Sequence, residues 1–180
     1  MKPKGLFLTP GAGSSAEHSS LRAIEAAVAP LPVVRHDFPY RKEGRKAPDR
    51  APKLLDDLEA HAPGPHWVYG GRSMGGRMCS MAVADGRLPK PRGLVLICYP
   101  LHPPGKPENL RTEHLPRLEL PCLFVSGTKD AFGTPAELEA ATATIPGDVT
   151  HVWLEGKGHD LRGADKAIVD AVVSWLRGLR

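Results

Sequence analysis

Apolar positions along this 180-residue chain fall into two alternating kinds of segment. The first kind is short and continuous. Gly5–Thr9 (GLFLT), Pro32–His36 (PVVRH), His66–Gly70 (HWVYG), Gly93–Cys98 (GLVLIC), Pro121–Ser126 (PCLFVS) and Val149–Leu154 (VTHVWL) each read as a strand. Gly93–Cys98 shows no polar alternation, which suits a strand covered on both faces. The second kind has helical spacing. Leu21, Ile24 and Val28 recur at i, i+3, i+7 and stop near Pro30; Leu54, Leu55 and Leu58 mark a helix that ends before Ala62-Pro63-Gly64-Pro65. Met74–Ala84 reads as a helix of small, closely packing residues, and Pro135–Thr144 as one with Pro135 in its first turn. Ile168, Val172, Trp175 and Leu179 fall at i, i+4, i+7, i+11 and predict a last helix.

Strands alternating with helices imply βαβ units and a mainly parallel sheet of about six strands with helices on both faces. Right-handed crossovers follow from chain chirality, whereas strand order does not follow from the pattern. In such sheets ligands bind beyond the carboxyl ends of the strands, so the loops leaving each strand are where chemistry is expected. The length suits a single domain over residues 1–180.

Composition changes this picture little. Hydrophobic residues make up 41% and charged residues 24%, ordinary for a globular chain, and the 19 Pro and 19 Gly sit between periodic segments as turns. The net charge of +4 comes largely from Arg41-Lys42-Glu43-Gly44-Arg45-Lys46 with Arg50 and Lys53. No aromatic interleaving or nucleic-acid motif accompanies those charges, so they read as a solvated loop and no nucleic-acid partner is expected. Cys79, Cys98 and Cys122 have no metal-ligand spacing, and Cys98 and Cys122 lie in apolar runs where free cysteines act as small core groups. No metal or cofactor is expected. The apolar run near the N-terminus is too short for a signal peptide and no segment is long enough to span a bilayer; the expected location is cytoplasmic, without a membrane partner.

The stretch Tyr69–Met78 (YGGRSMGGRM) places four glycines around Ser73, between a strand and a helix. Gly71-Arg72-Ser73-Met74-Gly75 has the G-x-S-x-G form of a nucleophile elbow, a sharp turn that lifts the serine hydroxyl above the sheet edge. The following helix aims its first amides and its dipole at the same place. A glycine-rich turn can also bind phosphate, but neither G-x-x-x-x-G-K-[ST] nor G-x-G-x-x-G spacing is present.

A serine nucleophile needs a base, and the base needs an orienting group. Asp130 lies in the loop leaving the fifth strand and His159 in the loop leaving the sixth, in the chain order Ser, Asp, His expected of this architecture. Asp148, Glu155 and Asp160 compete for the acid, and His151, His102 and His114 for the base. His159 is preferred because the glycines before it let it reach across the sheet edge. The amide of Met74 and that of Ala12, in the Pro10–Ser15 loop, are the expected oxyanion donors. Arg72, Arg77, Arg111 and His102 are candidates to line the site and favour anionic substrates; pairing with nearby carboxylates is the alternative.

These motifs resemble the α/β-hydrolases, specifically the small dienelactone-hydrolase-like group that includes the hydrolase-like domain of the NSL chromatin complex. The resemblance spans nearly the whole chain. It rests on LTPGAGS near the start, GGRSMGGR at the elbow, the segment from Tyr99 to Leu115, PCLFVSGTKDAFG and GKGHDL. It implies a three-layer α/β-hydrolase fold with Ser73, Asp130 and His159 as nucleophile, orienting acid and base. Two departures stand out: relatives often carry His-Gly where this chain has Pro10-Gly11, and dienelactone hydrolases use a cysteine nucleophile. Some relatives in chromatin complexes serve as binding modules, so a catalytically idle interaction module is the alternative to an enzyme.

The segment Tyr99–Leu120 is too short and proline-rich for a cap domain, which predicts an open site suited to small acyl groups. The expected activity is hydrolysis of small carboxylic esters or thioesters, with acyl transfer to another acceptor as a variant. Oligomeric state is not legible.

Overall fold

The computed structural model describes residues 2–179. Six strands form one parallel sheet: β1 (Leu6–Thr9), β2 (Val33–Arg35), β3 (Val68–Arg72), β4 (Gly93–Ile97), β5 (Cys122–Gly127) and β6 (Val149–Leu154), in the order β2-β1-β3-β4-β5-β6. The chain moves outward from β1 to β2, then crosses back and builds the other four strands on the far side of β1. The β1–β3 boundary is therefore the switch point of the sheet, where the loops leaving two adjacent strands part and open a crevice.

Successive residues of each central strand point into two separate cores. Phe7, Tyr69, Leu94, Leu96 and Phe124 face one side, with Leu54 and Leu58 of α3 (Ala51–His61), Met78 and Ala82 of α4 (Met74–Ala84) and Leu138 of α5 (Pro135–Thr142), all buried. Leu6, Leu8, Val68, Val95, Ile97, Leu123 and Val125 face the other, covered by Leu21 and Ile24 of α1 (Ser19–Val28) and Ile168 and Val172 of α6 (Asp165–Gly178). Both faces are apolar, which is why these strands read as unbroken hydrophobic runs. No helix among the described residues is long and apolar enough to cross a membrane.

Most strand and helix ends shift by one or two residues, and two differences bear on the site. β3 runs on to Arg72, because Gly71 and Arg72 pair with Leu96 and Ile97 of β4 although glycine is a poor strand former. The short helix α2 (Pro39–Lys42) forms within the basic loop, with Pro39 in its first turn and Tyr40 buried beneath it. Part of the loop's charge is paired: Arg45 with Glu43 and Asp49, and Lys53 with Asp49.

Residues 98–121 form no cap. Leu101, Leu115 and Leu118 are fully buried, a 3₁₀ turn spans Leu115–Arg117, and the Tyr99 hydroxyl donates to the Arg111 carbonyl at 2.7 Å. His114 fastens this segment to α4, its Nε2 lying 2.7 Å from Ser80 Oγ. Burial pushes the His114 imidazole from 6.5 down to about 4, and the Arg77 and Arg117 charges add to the effect. The unfolded chain thus takes up a proton below pH 6.5 that the folded chain accepts only near pH 4. Stability present above pH 6.5 is lost as the pH falls through that window, by about 2 kcal/mol at pH 5 from this residue alone. Urea denaturation at pH 7 and pH 5 should reveal the loss, and the H114Q variant should show a shallower pH dependence. An equal slope in that variant would contradict the assignment.

Candidate active site

Ser73 stands at the switch point, between the end of β3 and the start of α4. Its backbone takes φ 47° and ψ −119°, a conformation that costs a non-glycine residue about 1–3 kcal/mol and persists only when the surroundings enforce it. They do so through the Ser73 amide, which donates to the Ile97 carbonyl at 2.8 Å, and through close packing on β1. A Cβ on Gly71 would lie 2.0 Å from the Thr9 carbonyl oxygen, and one on Gly75 would lie 2.4 Å from that of Pro10. The glycines thus let the elbow press against β1 and its loop, and the pressure presents the hydroxyl.

The loops after β5 and β6 are stitched together. The Lys129 amide donates to the Lys157 carbonyl at 2.9 Å, and the Thr128 amide to that of Leu154 at 3.1 Å. This brings His159 Nδ1 to 2.8 Å from Asp130 Oδ2 and 3.0 Å from Oδ1. Its Nε2 lies 2.8 Å from Ser73 Oγ. A carboxylate only accepts, so Nδ1–H donates to Asp130, leaving Nε2 of the neutral ring to accept from the serine hydroxyl. Asp130, only 4% exposed, also accepts from the Phe132 amide at 2.8 Å. Of the competing residues, His151 bonds Thr142 and His114 bonds Ser80.

The Pro10–Ser15 loop closes the opposite wall. Gly11, Ala12, Ser73, Met74 and His159 line one cavity of about 550 Å³, and the Ser73 Cβ lies 3.6 Å from where a Gly11 Cβ would be. The Tyr40 hydroxyl donates to the Ala12 carbonyl at 2.7 Å, which fixes the orientation of this loop. Met74 is the first residue of α4, so its amide belongs to the helix-terminal donors that lack an intrahelical acceptor.

Two contributors escaped the sequence reading. Tyr40 sits in a loop that read as solvated, and only its place beside the charges Arg41–Lys46 set it apart. Phe132 stacks on the His159 ring with centroids 3.9 Å apart and interplanar angle 26°, so it limits imidazole rotation. Its signal was its position two residues after Asp130.

The four candidate lining residues divide. His102 does not reach the cavity: its ring is buried behind the loop after β4, with Nδ1 2.8 Å from the Pro103 carbonyl and Nε2 3.6 Å from Glu137. Its amide is held by the Phe132 carbonyl at 3.1 Å, which turns the residue away. Arg72 lines the cavity, but its guanidinium is engaged by Ser20 Oγ at 3.3 Å and the Asp160 carbonyl at 2.7 Å. Arg77 and Arg111 both line it as well. So does Cys98, whose thiol burial pushes up to about 11, leaving it protonated at neutral pH.

Among the described residues, one group has donor atoms close enough for a metal: His36, Asp57 and His61, within 4.8 Å of one another. None lines the Ser73 cavity, and His36 Nε2 is bonded directly to Asp57 Oδ2 at 2.6 Å.

A family model described as an alpha/beta hydrolase domain matches residues 2–172. Among solved structures, the monoacylglycerol lipase of Paleococcus ferrophilus superposes with a TM-score of 0.75 at 15% identity, covering 99% of this chain and 96% of that one. The type II thioesterase of the borrelidin biosynthetic cluster gives 0.72 at 20% identity over 98% and 94%. Dienelactone hydrolase from Anabaena variabilis gives 0.70 at 20% identity over 99% and 88%. At such identities the likeness speaks to the fold.

Proposed function

From the premise that the chain belongs to the alpha/beta hydrolase domain family, and so to a group whose neighbours here are hydrolases, we propose that it is a serine hydrolase of small carboxylic esters or thioesters. The observation that carries this reading is the unbroken chain of hydrogen bonds from Asp130 through His159 to Ser73, 2.8 Å at each end. Ser73 Oγ attacks the substrate carbonyl carbon while its proton passes to His159 Nε2. The negative charge that forms on the carbonyl oxygen is held by the amides of Met74 and Ala12. Asp130 stabilises the imidazolium. Collapse breaks the bond to the alcohol or thiol, which leaves with the proton from His159, and the acyl group stays on Ser73. Water then attacks the acyl-enzyme, giving its proton to His159, and the carboxylic acid departs as the serine regains its hydrogen. An acceptor other than water would turn the same cycle into acyl transfer.

A cavity of about 550 Å³ without a cap supports short or exposed acyl groups over long buried chains. Assay of the purified protein against nitrophenyl esters and matching thioesters of increasing chain length should give turnover that peaks at short chains. Folded protein inert toward the whole panel would replace this reading with that of an interaction module keeping the fold.

A further inference from the structure

Arg77 lies four residues after Ser73 on α4, one turn on and about 6 Å along the axis on the same face. Helical side chains lean toward the N-terminus, so its guanidinium projects back toward the serine end, and it lines the cavity. Its Nε is buried and has no hydrogen-bond partner. Arg111 faces the same cavity from the loop after β4. It is fixed at its backbone by the Leu101 carbonyl at 2.9 Å and the Tyr99 hydroxyl at 2.7 Å. Its guanidinium has one long contact, 3.4 Å to the Pro100 carbonyl.

Among the described residues no carboxylate pairs with either arginine. The carboxylates lining the cavity are Asp49, which already accepts from Arg45 and Lys53, and the exposed Asp160. Burial and the nearby Arg77 charge lower the pKa of the Arg111 guanidinium from its usual value. Two half-buried like charges without a counter-charge form an unfavourable arrangement that an anion would relieve. Other arginines do find carboxylates: Arg35 pairs with Glu17 and Glu25, Arg87 with Asp56 and Glu59, Arg117 with Asp85.

We propose that Arg77 and Arg111 form an anion subsite beside Ser73, so that the preferred ester or thioester carries a carboxylate or phosphate on its acyl chain or its leaving group. The substrate class rests on the serine-hydrolase reading above; the subsite itself does not. Planar guanidinium forks suit the paired oxygens of either anion.

The test uses matched pairs of substrates. Nitrophenyl hemisuccinate is compared with nitrophenyl valerate for the acyl side. Acetoxybenzoate with its methyl ester, and acetoxyphenyl phosphate with phenyl acetate, serve for the leaving-group side. The wild-type kcat/KM ratio of anionic to neutral should be roughly 10–100 in at least one pair, and should fall toward unity in both R77Q and R111Q. Using a ratio within each variant cancels general damage to the site. Ratios near one in every pair would overturn the subsite and leave the hydrolase standing. Calorimetric titration with succinate and inorganic phosphate, against succinamide, reads the subsite without turnover. Anion binding that R77Q abolishes, in a protein inert toward all esters, would uphold the subsite and sink the hydrolase. Absence of binding and of turnover would sink both.

Discussion

Replacing Ser73 with alanine should lower ester turnover by about 10⁴- to 10⁶-fold. The loss is large because no neighbouring group can take the hydroxyl's place. The Cys98 thiol lines the same cavity, but burial pushes its pKa up to about 11, so almost none of it is thiolate at neutral pH. What remains in S73A is the catalysis that oxyanion donors and binding provide to a water molecule, and that remaining activity sets the upper limit of the fall. Alanine keeps the backbone demand at φ 47° about as well as serine does, so the thermal midpoint should stay close to that of the wild type. Steady-state hydrolysis of the best ester, with circular dichroism as the fold control, decides it. Activity within tenfold of the wild type would mean that another residue does the chemistry.

The second large effect concerns a residue with no side chain. Substituting Gly75 with alanine should destabilise the protein by about 3 kcal/mol or more. The new Cβ would lie 2.4 Å from both the Pro10 carbonyl oxygen and Thr9 Oγ1, and 2.8 Å from the Thr9 carbonyl oxygen. Two of these three are backbone atoms at the end of a central strand, which cannot swing aside as a side-chain tip would. The same displacement would push the Ala12 loop away from Ser73, so the folded fraction should also lose about 10²-fold in kcat/KM. G178A is the control. That position, at the end of α6, has no atom within 4 Å of its would-be Cβ, and the substitution should leave stability within about 0.5 kcal/mol. Urea denaturation of both variants measures the contrast. A G75A protein as stable as the wild type would mean that the close contact between elbow and β1 is not what shapes the site.

The central strands were legible because each is buried on both faces, and an unbroken apolar run as short as Gly93–Cys98, bounded by turn residues, suits little else. Strand order was not, since any of several orders buries the same residues; pairing is decided by contacts between distant segments. Ser73 was legible because a non-glycine residue at such a turn needs small neighbours that leave a mark in the sequence. Asp130 and His159 were legible from their place after β5 and β6. What the sequence could not reveal is which polar groups meet. Tyr40 looked like part of a charged loop, yet its hydroxyl secures the Ala12 carbonyl. His102 looked like a site residue, yet a single bond from its amide to the Phe132 carbonyl turns it behind the loop. Arg72, Arg77 and Arg111 were equivalent as letters; only the structure separates Arg72, held by Ser20 and the Asp160 carbonyl, from Arg77, whose buried Nε has no partner, and Arg111, whose guanidinium has one long contact.

The central claim is that Asp130 and His159 make the Ser73 hydroxyl a nucleophile. Treatment of native protein with a fluorophosphonate, followed by intact-mass measurement and peptide mapping, tests it most directly. The account predicts one adduct per chain, mapped to Ser73, absent in S73A and formed far more slowly when His159 is replaced by glutamine. Folded wild-type protein that stays unmodified, or that carries its adduct elsewhere, would contradict it.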